Sequence, residues 1–135
     1  MKKLLLLICF FVLFIDHTSA QKEASYTING KVDSIADGTV VYLAITPEME
    51  PAVNQTTTVK NGKFKFKGKL NHPSEAILRT GEYGAGFKNW QRKIFWIDAG
   101  KMTFKARNAH FDEGILQGSV ANEDAERFMQ SFSEE

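Results

Sequence analysis

After Asn61-Gly62 the chain reads Lys63-Phe-Lys-Phe-Lys-Gly-Lys-Leu70, with lysine at every odd position from 63 to 69. Successive side chains of a strand point to opposite faces, so this period of two places charge on one face and phenylalanine on the other. A helix would scatter both around its circumference. Asn-Gly readily takes the positive φ angles of a type I′ turn, and Thr56-Thr-Thr-Val-Lys60 stands before it. The spacing predicts a β-hairpin of residues 56–60 with 63–70.

The same period recurs upstream. Tyr26, Ile28 and Val32 alternate with Thr27, Asn29 and Lys31, as a half-buried strand requires. After the Asp37-Gly38 turn signal, Thr39-Val-Val-Tyr-Leu-Ala-Ile45 is more continuously apolar, which predicts a central strand covered on both faces. Further strands are expected at 75–80, 93–98 and 101–106, with Trp96 inside an apolar run and assigned to the core, and 115–120 closes the β part. Short runs separated by Gly, Asn, Asp and Pro point to a sandwich or barrel. The tail then changes period. Ala125, Phe128, Met129 and Phe132 fall at i, i+3, i+4 and i+7, predicting a short amphipathic helix with Asn122 as its N-cap.

The first twenty residues follow a different logic. Lys2 and Lys3 precede an unbroken apolar run from Leu4 to Ile15, and Thr18-Ser19-Ala20 supplies small residues for cleavage before Gln21. The run is shorter than the roughly 20 residues of a membrane-spanning helix. Cys9, the single cysteine, lies inside it, preceded by bulky Ile8 where a lipid-modified cysteine needs a small residue. Cleavage would leave a mature chain without a thiolate nucleophile or a disulfide. It would also remove Lys2, Lys3 and Asp16, so 17 − 2 = 15 basic and 16 − 1 = 15 acidic side chains remain, a formal charge of zero. This balance gives no sign of a nucleic-acid partner, whose phosphates call for a basic excess.

Tyr26-Thr-Ile-Asn-Gly30, Asp37-Gly-Thr-Val-Val-Tyr-Leu43, Val59-Lys-Asn-Gly-Lys-Phe-Lys-Phe-Lys-Gly68, Phe95-Trp-Ile-Asp-Ala-Gly100 and Gln117-Gly-Ser-Val-Ala-Asn122 occur in that order. In order and spacing they resemble the N-terminal β-domain of unknown function of exported, thioredoxin-like thiol-disulfide oxidoreductases of Gram-negative bacteria. The resemblance spans residues 24–132 and implies a β-domain in the periplasm. Two departures matter. Gln55 stands where that family often has an acidic residue, and this sequence has no Cys-x-x-Cys pair to carry a redox activity.

Each constellation has a plain reading beside a functional one. The lysine stripe could bind an anionic glycan, lipid head group or acidic partner, but lysines on an edge strand also discourage edge-to-edge aggregation, and that reading is preferred. His110 and Asp112 would share one side of a strand, yet His72 is the only other mature histidine, and a closed zinc site needs about four ligands. No metal or cofactor is therefore expected. Gly81, Gly84 and Gly86 lack the spacing of a phosphate-binding loop and read as a flexible connection. Tyr83, Phe87 and Trp90, in or beside it, are candidates for stacking on a sugar or a partner. Phe128 and Phe132 either pack back onto the sandwich, the preferred reading, or dock a partner. No serine or histidine lies in a recognisable nucleophile motif, so the chain is not expected to be an enzyme.

The sequence thus predicts a signal peptide over 1–20, an all-β antiparallel β-sandwich of about seven to nine strands over 21–121, and a short C-terminal helix over 122–135. The expected role is an exported, periplasmic, non-catalytic interaction or accessory module, with a thioredoxin-like domain or another envelope protein as partner. The alternatives are a truncated oxidoreductase domain and a glycan-binding module. Intact-mass analysis of the protein recovered from the periplasm of cells expressing the full chain should give a mass beginning at Gln21. A mass retaining the leader would overturn the cleavage assignment.

Overall fold

The computed structural model describes residues 23–46, 53–81 and 91–133. The predicted leader, residues 1–20, and the predicted site residues Tyr83, Phe87 and Trp90 lie outside these residues. The elements are β1 (Ala24–Val32), β2 (Val40–Thr46), β3 (Val53–Thr58), β4 (Lys63–Leu70), β5 (Ser74–Thr80), β6 (Arg92–Ile97), β7 (Gly100–Ala106), β8 (Ile115–Gln117) and α1 (Val120–Ser131). The eight strands form two four-stranded sheets, in the orders β4-β1-β7-β8 and β3-β2-β5-β6. The first is mixed rather than purely antiparallel, because β1 runs parallel to β7.

Alternation behaves as the sequence predicts in β1 and β4. Tyr26, Ile28 and Val32 are buried, as are Phe64, Phe66 and Leu70, while the lysines of β4 are exposed. Phe64, Phe104 and Phe111 form a ring cluster, with Phe64–Phe111 stacked at 6.1 Å and Phe104–Phe111 at 5.4 Å. Phe95 of the second sheet reaches Phe104 of the first at 6.1 Å, so the rings join the two layers. Aromatic side chains contribute the largest buried area per residue, and their tilted and edge-on packing adds to it. Gln55 Nε2 of β3 also bridges the layers, donating to the Tyr26 hydroxyl at 3.0 Å. Burial pushes that hydroxyl's pKa above its ordinary value, and the Gln55 bond partly opposes the rise.

Four expectations are corrected. Asn61 and Gly62 do turn the chain, with φ of 51° and 68°, but only the Lys60–Lys63 bridge closes the predicted hairpin. The flanking strands then part, β3 pairing with β2 and β4 with β1. The turn is therefore a crossing between layers, with buried Val59 led into the core just before it. Second, β2 is central by pairing, yet Val40 is exposed and Tyr42 half-buried, so its outer face is not covered. The Arg79 guanidinium lies 4.1 Å from the Tyr42 ring centre, a cation–π contact that uses this outer position. Third, Trp96 is 36% exposed while its neighbours Phe95 and Ile97 are buried. Alternation in β6 turns it outward despite the apolar run around it. Fourth, His110 and Asp112 sit in a turn rather than a strand.

Glycine sets the spacing inside the first sheet. Gly30 is the register partner of Phe64, and a Cβ there would lie 2.1 Å from the Phe64 ring. Gly68 pairs with Tyr26 in the same ladder, where a Cβ would meet the tyrosine ring at 2.6 Å. Each aromatic ring thus covers the bare backbone of its partner. Gly30→Ala should destabilise the domain by about 1–3 kcal/mol through overpacking, read as a lower urea midpoint with an unchanged slope. An unchanged midpoint would show that the Phe64 ring can move aside without cost.

Candidate functional site

The most elaborated polar arrangement among the described residues lies where α1 begins. Gly118, with φ of 86°, ends β8, and Ser119 caps the helix from an extended conformation. The Ser119 side chain accepts from the Asn122 amide at 3.1 Å, satisfying one of the orphan donors of a helix start. Ser119, not Asn122, is therefore the N-cap. Asn122 is instead the one buried residue of the helix, and its side chain faces β6. Its Oδ1 accepts from the Trp96 backbone N–H at 3.1 Å, and Ser119 Oγ donates to the Trp96 carbonyl at 2.9 Å. β6 is the outer strand of its sheet, so these two side chains occupy backbone groups that an edge leaves unpaired. Asp98 Oδ2 accepts from the Ala121 amide at 3.1 Å, a carboxylate where the helix dipole favours one. Asn122 Nδ2 also donates to Glu126 Oε1 at 2.9 Å, carrying the network into the second turn.

Beyond Asn122 the helix leaves the sandwich. Phe128 and Phe132 are each 64% exposed and Met129 69%, and the two rings meet edge-on at 4.9 Å. The predicted packing of Phe128 and Phe132 onto the sandwich is thus absent. An isolated helix shorter than about 12–15 residues is marginal in water, so its first turn must be held by something else. The Ser119–Asn122–Asp98 contacts supply that hold.

The remaining candidates are weaker. His110 Nδ1 and Asp112 Oδ1 are 3.8 Å apart, and Glu113 brings a third ligand atom into a group spanning 4.8 Å, all three residues exposed. The turn brings Asp112 and Glu113 together where a strand would have separated them. His72 is engaged elsewhere, with Nδ1 3.0 Å from the Pro73 carbonyl. A cleft of about 340 Å³ is lined in part by Ser34, Asn108 and Ala109, and it opens beside Thr80 and Gln91, which flank the segment bearing Tyr83, Phe87 and Trp90. Those three lining residues have φ of 61°, 52° and 59°, in the left-handed region that costs a non-glycine residue free energy. No helix among the described residues is long and apolar enough to cross a membrane.

The lysine stripe is wider than β4. Lys31 of β1 stands opposite both Lys63 of β4 and Lys105 of β7, and Lys101 lies opposite Thr27. Sequence reading found the four lysines of β4 because they alternate. It missed the other three because only the strand register brings them alongside.

These features define a two-sheet β-domain with a capped, outward-projecting helix. The chain belongs to the family described as a domain of unknown function (DUF4369), whose model matches residues 26–125. No curated protein matches it. Distantly similar solved structures include two toxins. One is described as the crystal structure of a Gram negative toxin, at 12% identity with a TM-score of 0.35, and it covers 71% of this chain and 23% of the toxin's. The other is the human-specific toxin intermedilysin, at 10% identity with a TM-score of 0.34, covering 74% of this chain and 24% of that one. The chain thus spans about a quarter of either toxin.

Asn122→Ala should destabilise the domain by about 1–3 kcal/mol, since it leaves the Trp96 amide without its acceptor. Limited trypsin digestion should then cut faster after Arg127. Equal cutting in the two proteins would mean that the helix start is held without Asn122.

Proposed function

We propose that this chain is an exported, periplasmic, non-catalytic interaction module whose C-terminal helix docks a thioredoxin-like domain. One observation carries the reading. The helix is fastened at its first turn and presents Phe128 and Met129 to solvent near its end, with exposed Phe132 as its C-cap. A helix edge of this kind suits insertion into an apolar groove of a partner, with anchors at i, i+1 and i+4. The thioredoxin-like occupant is favoured by the resemblance to β-domains that precede such domains in exported oxidoreductases. The resemblance implies that in those proteins the chain continues from the terminal helix into the redox domain. The mature chain contributes no thiol of its own, and redox chemistry in such a complex would belong to the partner.

The test is capture from periplasmic extract on immobilised residues 21–135, identified by mass spectrometry, and repeated with Phe128→Ser and Phe132→Ser. Both side chains are exposed, so the double variant should keep its stability within about 0.5 kcal/mol per substitution. Recovery of a thioredoxin-like protein by the original chain, and its loss with the double variant, is the expected result. Recovery that ignores the substitutions, or no thioredoxin-like protein bound to a folded domain, overturns the proposal.

A further inference from the structure

We infer that the outer face of the β4-β1-β7-β8 sheet is a docking surface for an anionic membrane. Four of its lysines, Lys63, Lys65, Lys67 and Lys69, line the outer face of β4. Neighbours two residues apart on one strand face are roughly 6–7 Å apart, within the Debye length of about 8 Å at physiological salt. The register places Lys31 of β1 and Lys101 and Lys105 of β7 on the same face. Neutral Thr27, Asn29, Thr103 and Gln117 fill positions between and beside them. Among the described residues, Glu23 is the one carboxylate ion-paired with any of these lysines, to Lys69 at 3.0 Å.

Protection of a sheet edge explains only part of this array. β4 is an edge strand, and its lysines would discourage pairing with another chain. β1 and β7 are interior strands with partners on both sides, so they have no edge to protect. Their lysines nonetheless face the same way. Lys31 stands directly opposite Lys63 on one side and Lys105 on the other, and like charges directly opposite one another oppose pairing. A chain with a formal charge of only +1 has therefore collected seven of its 17 basic side chains on one sheet face, against internal repulsion.

The arrangement fits a lipid surface better than other polyanions. It spreads over three adjacent strands rather than along one groove, and a bilayer presents its phosphates in two dimensions. The residues are lysines, compact point charges that need no fixed bidentate geometry, whereas a defined phosphate or carboxylate site favours arginine. Among the described residues the face has no aromatic ring on which a sugar or base could stack, and its large apolar side chain is Ile115, 58% exposed on β8 beside Lys105. Lysines close to an anionic leaflet each strengthen attachment, and the effect fades with salt. α1 follows β8, at the edge opposite β4, so the helix and the densest lysine row are separate surfaces.

The experiment is co-sedimentation of residues 21–135 with vesicles of phosphatidylcholine alone or with a minority of phosphatidylglycerol. The leader is omitted because its apolar run would bind lipid by itself, and the described residues contain a core closed between both sheets. Binding should require phosphatidylglycerol, weaken as salt rises, and fall by at least about tenfold in Lys65→Gln/Lys67→Gln/Lys101→Gln. It should persist in the Phe128→Ser/Phe132→Ser protein, whose circular dichroism and that of the lysine variant should match the original. Binding that survives the lysine changes but not the helix changes overturns the inference. So does a folded protein that ignores anionic vesicles, including one that binds heparin through the same lysines, which would make the ligand a glycan.

Discussion

Phe64 lies over the bare backbone of Gly30, and Tyr26 lies over Gly68 four pairs further along the same ladder. The two contacts are reciprocal, one strand supplying the glycine in the first and the ring in the second. Glycine in a strand interior ordinarily weakens it, because the residue has more freedom to lose and nothing to pack. Here each ring fills the space that a side chain would need. Phe64 is thereby held against Phe104 and Phe111, and Phe104 reaches across to Phe95 of the opposite sheet. The separation of the layers depends on that stack, and with it the position of every strand that carries a surface feature.

The edges of the two sheets are managed by different means, and the candidate functional features grow out of them. β4 carries charge along its exposed face. β6 has the Trp96 backbone groups occupied by Ser119 and Asn122. The second device couples two tasks, since the residues that occupy the strand edge also start the helix. Breaking it would both bare an edge and loosen α1. The helix is in that sense an extension of the second sheet's edge, and Phe128, Met129 and Phe132 come after the turn that touches the sandwich.

What the sequence made legible follows from how local each signal is. Alternation in β1 and β4 is written in adjacent residues, and their faces came out as the spacing predicts. The positive φ angles at Asn61 and Gly62 are likewise local. Which strand lies beside which is not local, and an Asn-Gly turn reports only that the chain reverses. It could not say that β3 and β4 would part into different sheets, nor that Lys31, Lys101 and Lys105 would join the stripe. Trp96 was misplaced because Ile94, Phe95, Trp96 and Ile97 are all apolar, so hydrophobicity could not choose between the faces. Ser119 and Asn122 are both good capping residues, and the choice between them turned on the position of β6, which no neighbouring residue encodes.

Net charge illustrates the same limit from the side of function. A formal charge of only +1 over the full chain argues against long-range attraction to any polyanion when charge is spread evenly. The fold does not spread it evenly. It turns lysines from three strands to one sheet face, while Glu123, Asp124 and Glu126 lie on the first turns of the helix that starts at the opposite edge. Acidic side chains near a helix N-terminus are also favoured by its dipole, so their position has a local cause independent of the lysines. The lysine face has no such local cause on β1 and β7, where pairing on both sides already satisfies the backbone. An opposing anionic surface would offset the repulsion between Lys31, Lys63 and Lys105, making the cost in the free domain a gain on contact.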